Sequence, residues 1–165
     1  MANATQSTLS AETEEHPIVL YDGVCGLCNR GVQFILDRDP AGLFHYASLQ
    51  NPLAGRILGR HGADARDLDT VYVVLHRNQP DEKLFARSDA VIFVLRHIGT
   101  HLGPRPASAQ YGHLRAAGFL VQLIPRPLRE WAYRLVANHR YRIFGRYDAC
   151  PVPSEETRRR FLDLA

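Results

Sequence analysis

The sequence predicts a single α/β domain in which a mixed central sheet is flanked by helices, with extra helices at the C-terminal end. An apolar run at 18–21 is followed by a turn, a helical pattern and another short strand, which is the order of a parallel strand–helix–strand unit. A nearly continuous apolar run at 71–75 predicts a central strand, and a turn at 78–81 predicts that 83–86 returns beside it as an edge strand. The 165 residues are enough for one domain with its own core.

The N-terminal half supplies most of the predicted sheet. Polar and acidic residues at 1–15 predict a disordered tail, so the folded domain covers 16–165. The residue before a proline avoids helical geometry, so Asp39-Pro40 marks the end of the first helix, whereas Pro52 suits the first turn of the second. The predicted elements are strand Ile18–Tyr21, helix Gly26–Asp37, strand Phe44–Ala47 and a helix from Asn51-Pro52 to about Arg60.

The C-terminal half is predicted to be helical. Ser88 can cap a helix that runs from Asp89 to about Ile98, and the Gly- and Pro-rich residues 99–110 predict a loop. Prolines interrupt the helical pattern that follows. We expect one helix or two across Phe119–Ile124 and Pro125–Asn138, irregular structure over Arg142–Tyr147 and a last helix from Ser154.

Cys25 and Cys28 lie where the first strand gives way to the first helix. Near a helix N-terminus, unpaired N–H groups and the positive end of the helix dipole favour a thiolate over a thiol, and the thiolate is the nucleophile. Cys28 follows about one turn later, close enough to form a disulfide. Such a C-x-x-C is typical of a redox pair. We expect Cys25 to be the attacking and more exposed cysteine, and Cys28 to resolve the mixed disulfide.

Four short motifs extend this interpretation over most of the chain. They are Asp22-x-x-Cys25-x-x-Cys28, Arg87-Ser88-Asp89-Ala90, Tyr141-Arg142-Ile143-Phe144-Gly145 and Cys150-Pro151. With these motifs in this order, the chain from about Ile18 to Leu164 resembles the DCC family of predicted thiol-disulfide oxidoreductases. The resemblance implies a thioredoxin-like fold and a dithiol–disulfide activity, and it implies little about the substrate.

One departure from ordinary thioredoxins concerns substrate positioning. Thioredoxins place a cis-proline just before a central strand, facing the cysteine pair, whereas here Asp69-Thr70 precedes the corresponding strand. We therefore expect Thr70 to lie against Cys25 and to help position an incoming disulfide. Gly23 and Gly26, in the turn that carries the cysteines, are the other candidate positioning residues.

Asp22 and Cys150 each have more than one interpretation. The Asp22 carboxylate can raise the pKa of Cys25 by repulsion, accept a proton from Cys28, or bind the backbone of the following turn. The family motif favours a catalytic role. Cys150 can be a third redox cysteine, a metal ligand or a small buried apolar residue, and the last is the commonest state of a free cysteine.

Three alternatives to a redox enzyme stay open. The first is a metal-binding protein through Cys25, Cys28 and Cys150, although zinc usually takes four ligands. The second is an adaptor for a membrane surface or a partner, because segment 126–146 is basic and can form an amphipathic helix. Such a helix more often packs its apolar face in the core, and we favour that. The third is a glutathione-linked transferase.

Composition and charge limit the remaining classes. The formal net charge is +3, and no recognised nucleic-acid or nucleotide-binding motif accompanies the basic residues, so no nucleic-acid partner is expected. The start of the chain lacks a signal-peptide pattern, and no window approaches the length of a membrane span. We expect a cytoplasmic protein that needs neither metal nor organic cofactor. Its expected partners are a protein or small-molecule disulfide and a cellular thiol reductant.

Overall fold

A four-stranded sheet forms the centre of the computed structural model, which describes residues 16–98, 111–147 and 155–163. The strand order is β2-β1-β3-β4. The predicted tail, the 99–110 loop, Cys150 and Ser154 lie outside the described residues. The strands are β1 (Ile18–Tyr21), β2 (His45–Ser48), β3 (Tyr72–Leu75) and β4 (Lys83–Ala86), and the described helices are α1 (Gly26–Leu36), α2 (Pro52–Arg60), α3 (Ser88–His97), α4 (Gly112–Leu123), α5 (Arg126–Phe144) and α6 (Glu155–Arg158).

The sheet is mixed, as predicted, and β1 is where the two kinds of pairing meet. β1 pairs with β2 in parallel, and α1 supplies the crossover that parallel strands need. On its other side β1 pairs antiparallel with β3, so that Leu20 lies opposite Tyr72. β3 then pairs antiparallel with β4. The antiparallel part of the sheet therefore begins with the β1–β3 pair, before the β3–β4 hairpin.

Both faces of the sheet are covered by helices. Alternate residues of β1 point to opposite faces, so each face can be followed from this strand. Val19 and Tyr21 pack in a cluster with residues of α1 and α3, and Ile18 and Leu20 pack with α2. Burial on both faces explains why β1 is continuously apolar. The helices α1 and α3 thus lie on one side of the sheet and α2 on the other.

The helix boundaries confirm some sequence predictions and correct others. Helix α2 begins at Pro52 as expected, and the Asn51 side chain caps it by accepting a hydrogen bond from the N–H of Leu53 at 2.8 Å. Ser88 is not a cap: Arg87, with φ 54°, precedes the helix, and the Ser88 hydroxyl donates to Glu130 of α5. The prediction of irregular structure from 142 was wrong for its first three residues, because α5 continues to Phe144.

The long helix α5 crosses the same side of the sheet as α1 and α3 and packs against both. Its Tyr133 hydroxyl accepts a hydrogen bond from the N–H of Val71 at 2.9 Å, which ties the helix to the chain just before β3. Gly145, at φ 76°, ends the helix. None of the described helices is both long enough and apolar enough to cross a bilayer.

Candidate active site

Cys25 occupies the N-cap of α1, directly after the turn that ends β1. Its N–H donates to the carbonyl of Asp22 at 3.2 Å, and its backbone is extended, as a cap requires. The Cys25 sulfur accepts from the N–H of Cys28 at 3.4 Å. A sulfur therefore takes the place that a capping hydroxyl or carboxylate usually fills, and it faces the positive end of the helix. The predicted position of Cys25 is confirmed.

The two sulfurs differ in proton affinity. A hydrogen bond from the Cys28 thiol, helped by the N–H groups of Cys28 and Leu27 and by the charge of Arg140, lowers the pKa of Cys25 to about 6, although burial opposes this. The same hydrogen bond, together with burial and the Cys25 charge, raises the pKa of Cys28 above its usual range. These opposite shifts favour a Cys25 thiolate that accepts a hydrogen bond from a Cys28 thiol.

The expected exposure of the two cysteines is reversed. Cys25 is 0% exposed, whereas Cys28 is partly exposed, so the prediction that the first cysteine is the more accessible one was wrong. The reason is the segment that follows α5, residues 145–147, here called the cover. Arg146 forms an antiparallel bridge with Cys25, and the N–H of Tyr147 donates to Val24 at 2.8 Å.

Gly26 lets the cover approach. Its N–H donates to the carbonyl of Gly145 at 3.1 Å, and a Cβ at Gly26 would overlap the carbonyl oxygen of Phe144. Gly23 is held differently: its N–H donates to Gln50 at 3.1 Å, and its carbonyl accepts from Asn29 at 2.7 Å. Both glycines therefore shape the turn around the cysteines, and their contact with a substrate stays a prediction.

Asp22 is buried beneath the same turn and accepts hydrogen bonds at both carboxylate oxygens. Oδ1 accepts from the N–H of Val24 at 3.2 Å and from the Gln50 amide at 2.8 Å. Oδ2 accepts from the Tyr141 hydroxyl and lies 3.4 Å from Nη2 of Arg140. Asp22 therefore binds the backbone of the following turn, which is one of the roles predicted for it. The Asp22 charge also contributes to the raised pKa of Cys28.

Arg140 is the site residue that the sequence analysis missed. Its side chain, only 3% exposed, enters from α5 and donates to Asp69 at 2.6 Å and to the carbonyl of Leu68 at 3.0 Å, besides facing Asp22. Its charge lowers the pKa of Cys25 and opposes the raised pKa of Cys28. The one sequence signal was its place directly before the 141–145 motif, inside the basic segment.

Comparison with known proteins shows the family of this chain. Residues 19–146 match the family model described as DCC1-like thiol-disulfide oxidoreductase. The chain belongs to this family. It is 32% identical over 154 residues to the uncharacterized protein YuxK of Bacillus subtilis, covering 93% of this chain and 99% of that protein. It is 33% identical over 141 residues to a chloroplastic DCC family protein of Arabidopsis thaliana, covering 86% of this chain and 72% of that protein. No solved structure is significantly similar to the chain.

The second DCC motif, residues 87–90, fastens α3 to α5 instead of capping α3. The Ser88 hydroxyl donates to Glu130, and Asp89 pairs with Arg129 at 2.7 Å. Both partners are on α5, the helix that delivers Arg140. The motif therefore joins α3 to the helix that carries Arg140.

Thr70 lies at the edge of the sheet where the cysteine turn begins. Leu20 pairs with Tyr72, so two residues further along both strands Thr70 comes level with Asp22. The Thr70 side chain is buried and donates to Asp67 at 3.1 Å. Its contact with Cys25 stays a prediction.

The described residues supply no set of ligands for the alternative of a metal-binding protein. Within 16–98, 111–147 and 155–163, no group of three or more His, Cys, Asp or Glu side chains is arranged to hold a metal ion. Cys150, the third ligand of that alternative, lies outside these ranges. Cys25 and Cys28, the two described cysteines, are not joined in a disulfide.

Proposed function

We propose that this family member is an enzyme that exchanges thiols and disulfides through Cys25 and Cys28. The observation that carries the proposal is the capping sulfur of Cys25, which accepts hydrogen bonds from both the thiol and the N–H of Cys28. These donors stabilise a thiolate, and the thiolate is the reactive form of cysteine. The Cys28 thiol is held beside this thiolate and keeps its proton, so Cys25 attacks first and Cys28 reacts in the second step.

The reaction balances without a bound cofactor. The Cys25 thiolate attacks one sulfur of a substrate disulfide; that S–S bond breaks, a Cys25–substrate S–S bond forms, and the other substrate sulfur leaves as a thiolate that takes a proton. Cys28 then loses its proton and attacks Cys25, which releases the second substrate thiol and leaves a Cys25–Cys28 disulfide. The substrate gains two electrons and the protein loses two. A cellular thiol reductant restores the dithiol by the reverse exchange.

Cys25 is assigned the first attack although it is buried, because Cys28 holds its proton too strongly to compete. Attack then requires the cover to move away from Cys25. The cover is suited to this, since Gly145, Arg146 and Tyr147 are themselves exposed and attach through a few backbone contacts. An extended substrate segment can form the same backbone pairing with Cys25 once the cover has left.

The other candidate residues have roles that follow from this scheme. Asp22 accepts the proton that Cys28 loses in the second step, because its charge acts on that thiol. Thr70 and the two glycines of the turn, Gly23 and Gly26, position the substrate disulfide. We propose Cys150 as a third redox cysteine from its sequence position alone. The activity is placed in the cytoplasm, where a C-x-x-C is more often catalytic than structural.

Trapping tests the proposal directly. Reduced protein is mixed with a disulfide substrate such as insulin, and turnover is followed for the natural chain and for Cys25→Ser, Cys28→Ser and Cys150→Ser. We expect Cys25→Ser to abolish turnover and Cys28→Ser to accumulate a mixed disulfide at Cys25, identified by mass spectrometry. Cys150→Ser is the matched control and measures whether a third thiol takes part. A Cys25→Ser variant that keeps full turnover contradicts the proposal, as does activity confined to glutathione conjugates.

A further inference from the structure

Helices α4 and α5 and the turn between them expose several large apolar side chains. Most of the exposed large apolar residues in the described part of the chain belong to these two helices and the turn between them. We call this set the α4–α5 apolar face. Its members are Phe119 (55% exposed), Leu120 (63%), Leu123 (65%), Ile124 (38%), Leu128 (55%), Trp131 (58%) and Leu135 (48%).

The packing of each helix turns these residues outward. On α4, Gly118 is buried against α3, where a Cβ would lie 3.0 Å from Cγ of Arg96, and Leu120 lies on the opposite side of the helix. On α5 the buried positions are Ala137 and Arg140, and Leu128 and Leu135 project away from them. The prediction that the apolar side of segment 126–146 packs in the core was therefore wrong.

The surroundings of the face are cationic. Residues 111–147 contain seven arginines and one acid, Glu130, which is turned inward to Ser88. Arg126 is 72% exposed and shares Asp89 with Arg129, while the remaining exposed arginines of the two helices are Arg115, Arg134 and Arg142. A cleft of about 300 Å³ opens at the edge of the face, lined by Arg96, His97, Arg115 and Phe119.

We propose that the α4–α5 apolar face binds the surface of an anionic phospholipid bilayer. The apolar side chains enter the boundary between headgroups and acyl chains, where tryptophan is favoured. The surrounding arginines and the cationic cleft contact headgroup phosphates, which guanidinium groups bind with paired hydrogen bonds. Charge complementarity selects this occupant: a second copy of the chain would bring two arginine-rich faces together with Glu130 as the one acid of these helices.

Binding to vesicles tests the proposal on the full chain. Trp131 is the single tryptophan, so its fluorescence reports the face alone. With vesicles of phosphatidylcholine containing about 30% phosphatidylglycerol, we expect a blue shift and co-flotation, both weakened by salt. With vesicles of phosphatidylcholine alone we expect binding to be weaker by about tenfold or more. No blue shift with the anionic vesicles contradicts the proposal.

Substitutions separate the face from net charge. Leu128→Gln with Leu135→Gln removes apolar area at constant charge and should weaken flotation about tenfold or more, with the melting temperature and disulfide exchange unchanged. Arg134→Glu should also weaken it, whereas Arg56→Glu, exposed on α2 across the sheet, is the matched charge control. Equal effects of the two arginine variants overturn the proposal. The proposal is also overturned if light scattering shows that the natural chain is a dimer that does not bind vesicles, and that the Leu128→Gln, Leu135→Gln variant is monomeric.

Discussion

The N–H of Gly26 donates to the carbonyl of Gly145 across 3.1 Å, which joins the first turn of α1 to the residue that ends α5. The contact has two effects on one sulfur. It is one of the contacts that hold α5, whose Arg140 lowers the pKa of Cys25, and it holds the cover beside Cys25. The same arrangement therefore lowers the pKa of Cys25 and keeps its sulfur from solvent, so we expect the reaction of Cys25 with added reagents to depend on opening of the cover.

Gly145→Ala is expected to loosen the cover. Gly145 has φ 76° and ψ 174°, a region that is costly for a residue with a Cβ, by about 1–3 kcal/mol. Relief of that strain favours states in which residues 145–147 leave Cys25. Alkylation of the folded, reduced protein by iodoacetamide should become faster at Cys25, measured by mass spectrometry.

Gly62→Ala is the control for this effect. Gly62 also has positive φ, at 66°, with no neighbour within 4 Å of an added Cβ, and it lies in the loop after α2. It should lower stability by a similar amount without changing alkylation of Cys25. Equal alkylation rates in the two variants would show that the cover does not control access.

Gly26→Ala tests the close approach of the two segments. The added Cβ would overlap the carbonyl oxygen of Phe144, which is backbone and cannot swing aside. We expect the free energy of unfolding to fall by about 2 kcal/mol or more, measured in urea. Gly31→Ala, in the same helix with open space around its Cβ, should instead be neutral or stabilising by about 0.5–1 kcal/mol. A tolerated Gly26→Ala would mean that the cover can shift without loss.

The region around the first cysteine was predictable because its signals are local. An apolar run, a turn and a helical pattern fix the N-cap position of Cys25, and Asn51-Pro52 fixes the start of α2 in the same way. The mixed sheet also followed from short runs and turns. In each case the residues that decide the structure are neighbours in sequence.

The rest of the site depends on contacts between distant parts of the chain. Nothing near Cys25 in sequence indicates that Arg146 pairs with it or that Arg140 is buried beside Asp22. Likewise, periodicity identifies an apolar side on α5, but the packing of α3 and the sheet decides which side of the helix is buried. Leu128 is exposed for that reason. Ser88 was predicted to cap α3 because it precedes a helical pattern, and its actual partner, Glu130 on α5, is too remote in sequence to be recognised.

The pH dependence of alkylation should report the Cys25 thiolate. Since its pKa is lowered to about 6, the rate in the reduced protein should rise with a midpoint near that value and level off above it. Arg140→Gln removes a cause of the lowering and should move the midpoint upward, whereas Arg134→Gln, exposed on the same helix, should not. A midpoint near the usual cysteine value in the natural chain would contradict the assigned charge state.

The same shift predicts how stability depends on pH. A pKa lowered by folding means that the unfolded chain binds more protons between about pH 6 and 9, so the contribution of Cys25 grows as pH rises through that window and is lost as pH falls to 6. The difference in unfolding free energy between the natural chain and Cys25→Ser should therefore increase from pH 6 to 8, measured by urea titration. A difference that is constant over this range would show that the cap sulfur is not charged.

Asp22→Asn separates the catalytic role of the carboxylate from its role in the turn. Asparagine keeps an oxygen for the N–H of Val24 but removes the charge and the proton acceptor. If Asp22 accepts the proton of Cys28, the second step should slow by about 10²-fold or more while the attack by Cys25 continues, because general-base catalysis has that size. Stopped-flow measurement of formation and decay of the mixed disulfide resolves the two steps. Gln50→Leu removes another hydrogen-bond partner of Asp22 without touching its charge and serves as the control. Unchanged decay together with a lower melting temperature in Asp22→Asn would leave the carboxylate a purely structural part of the turn.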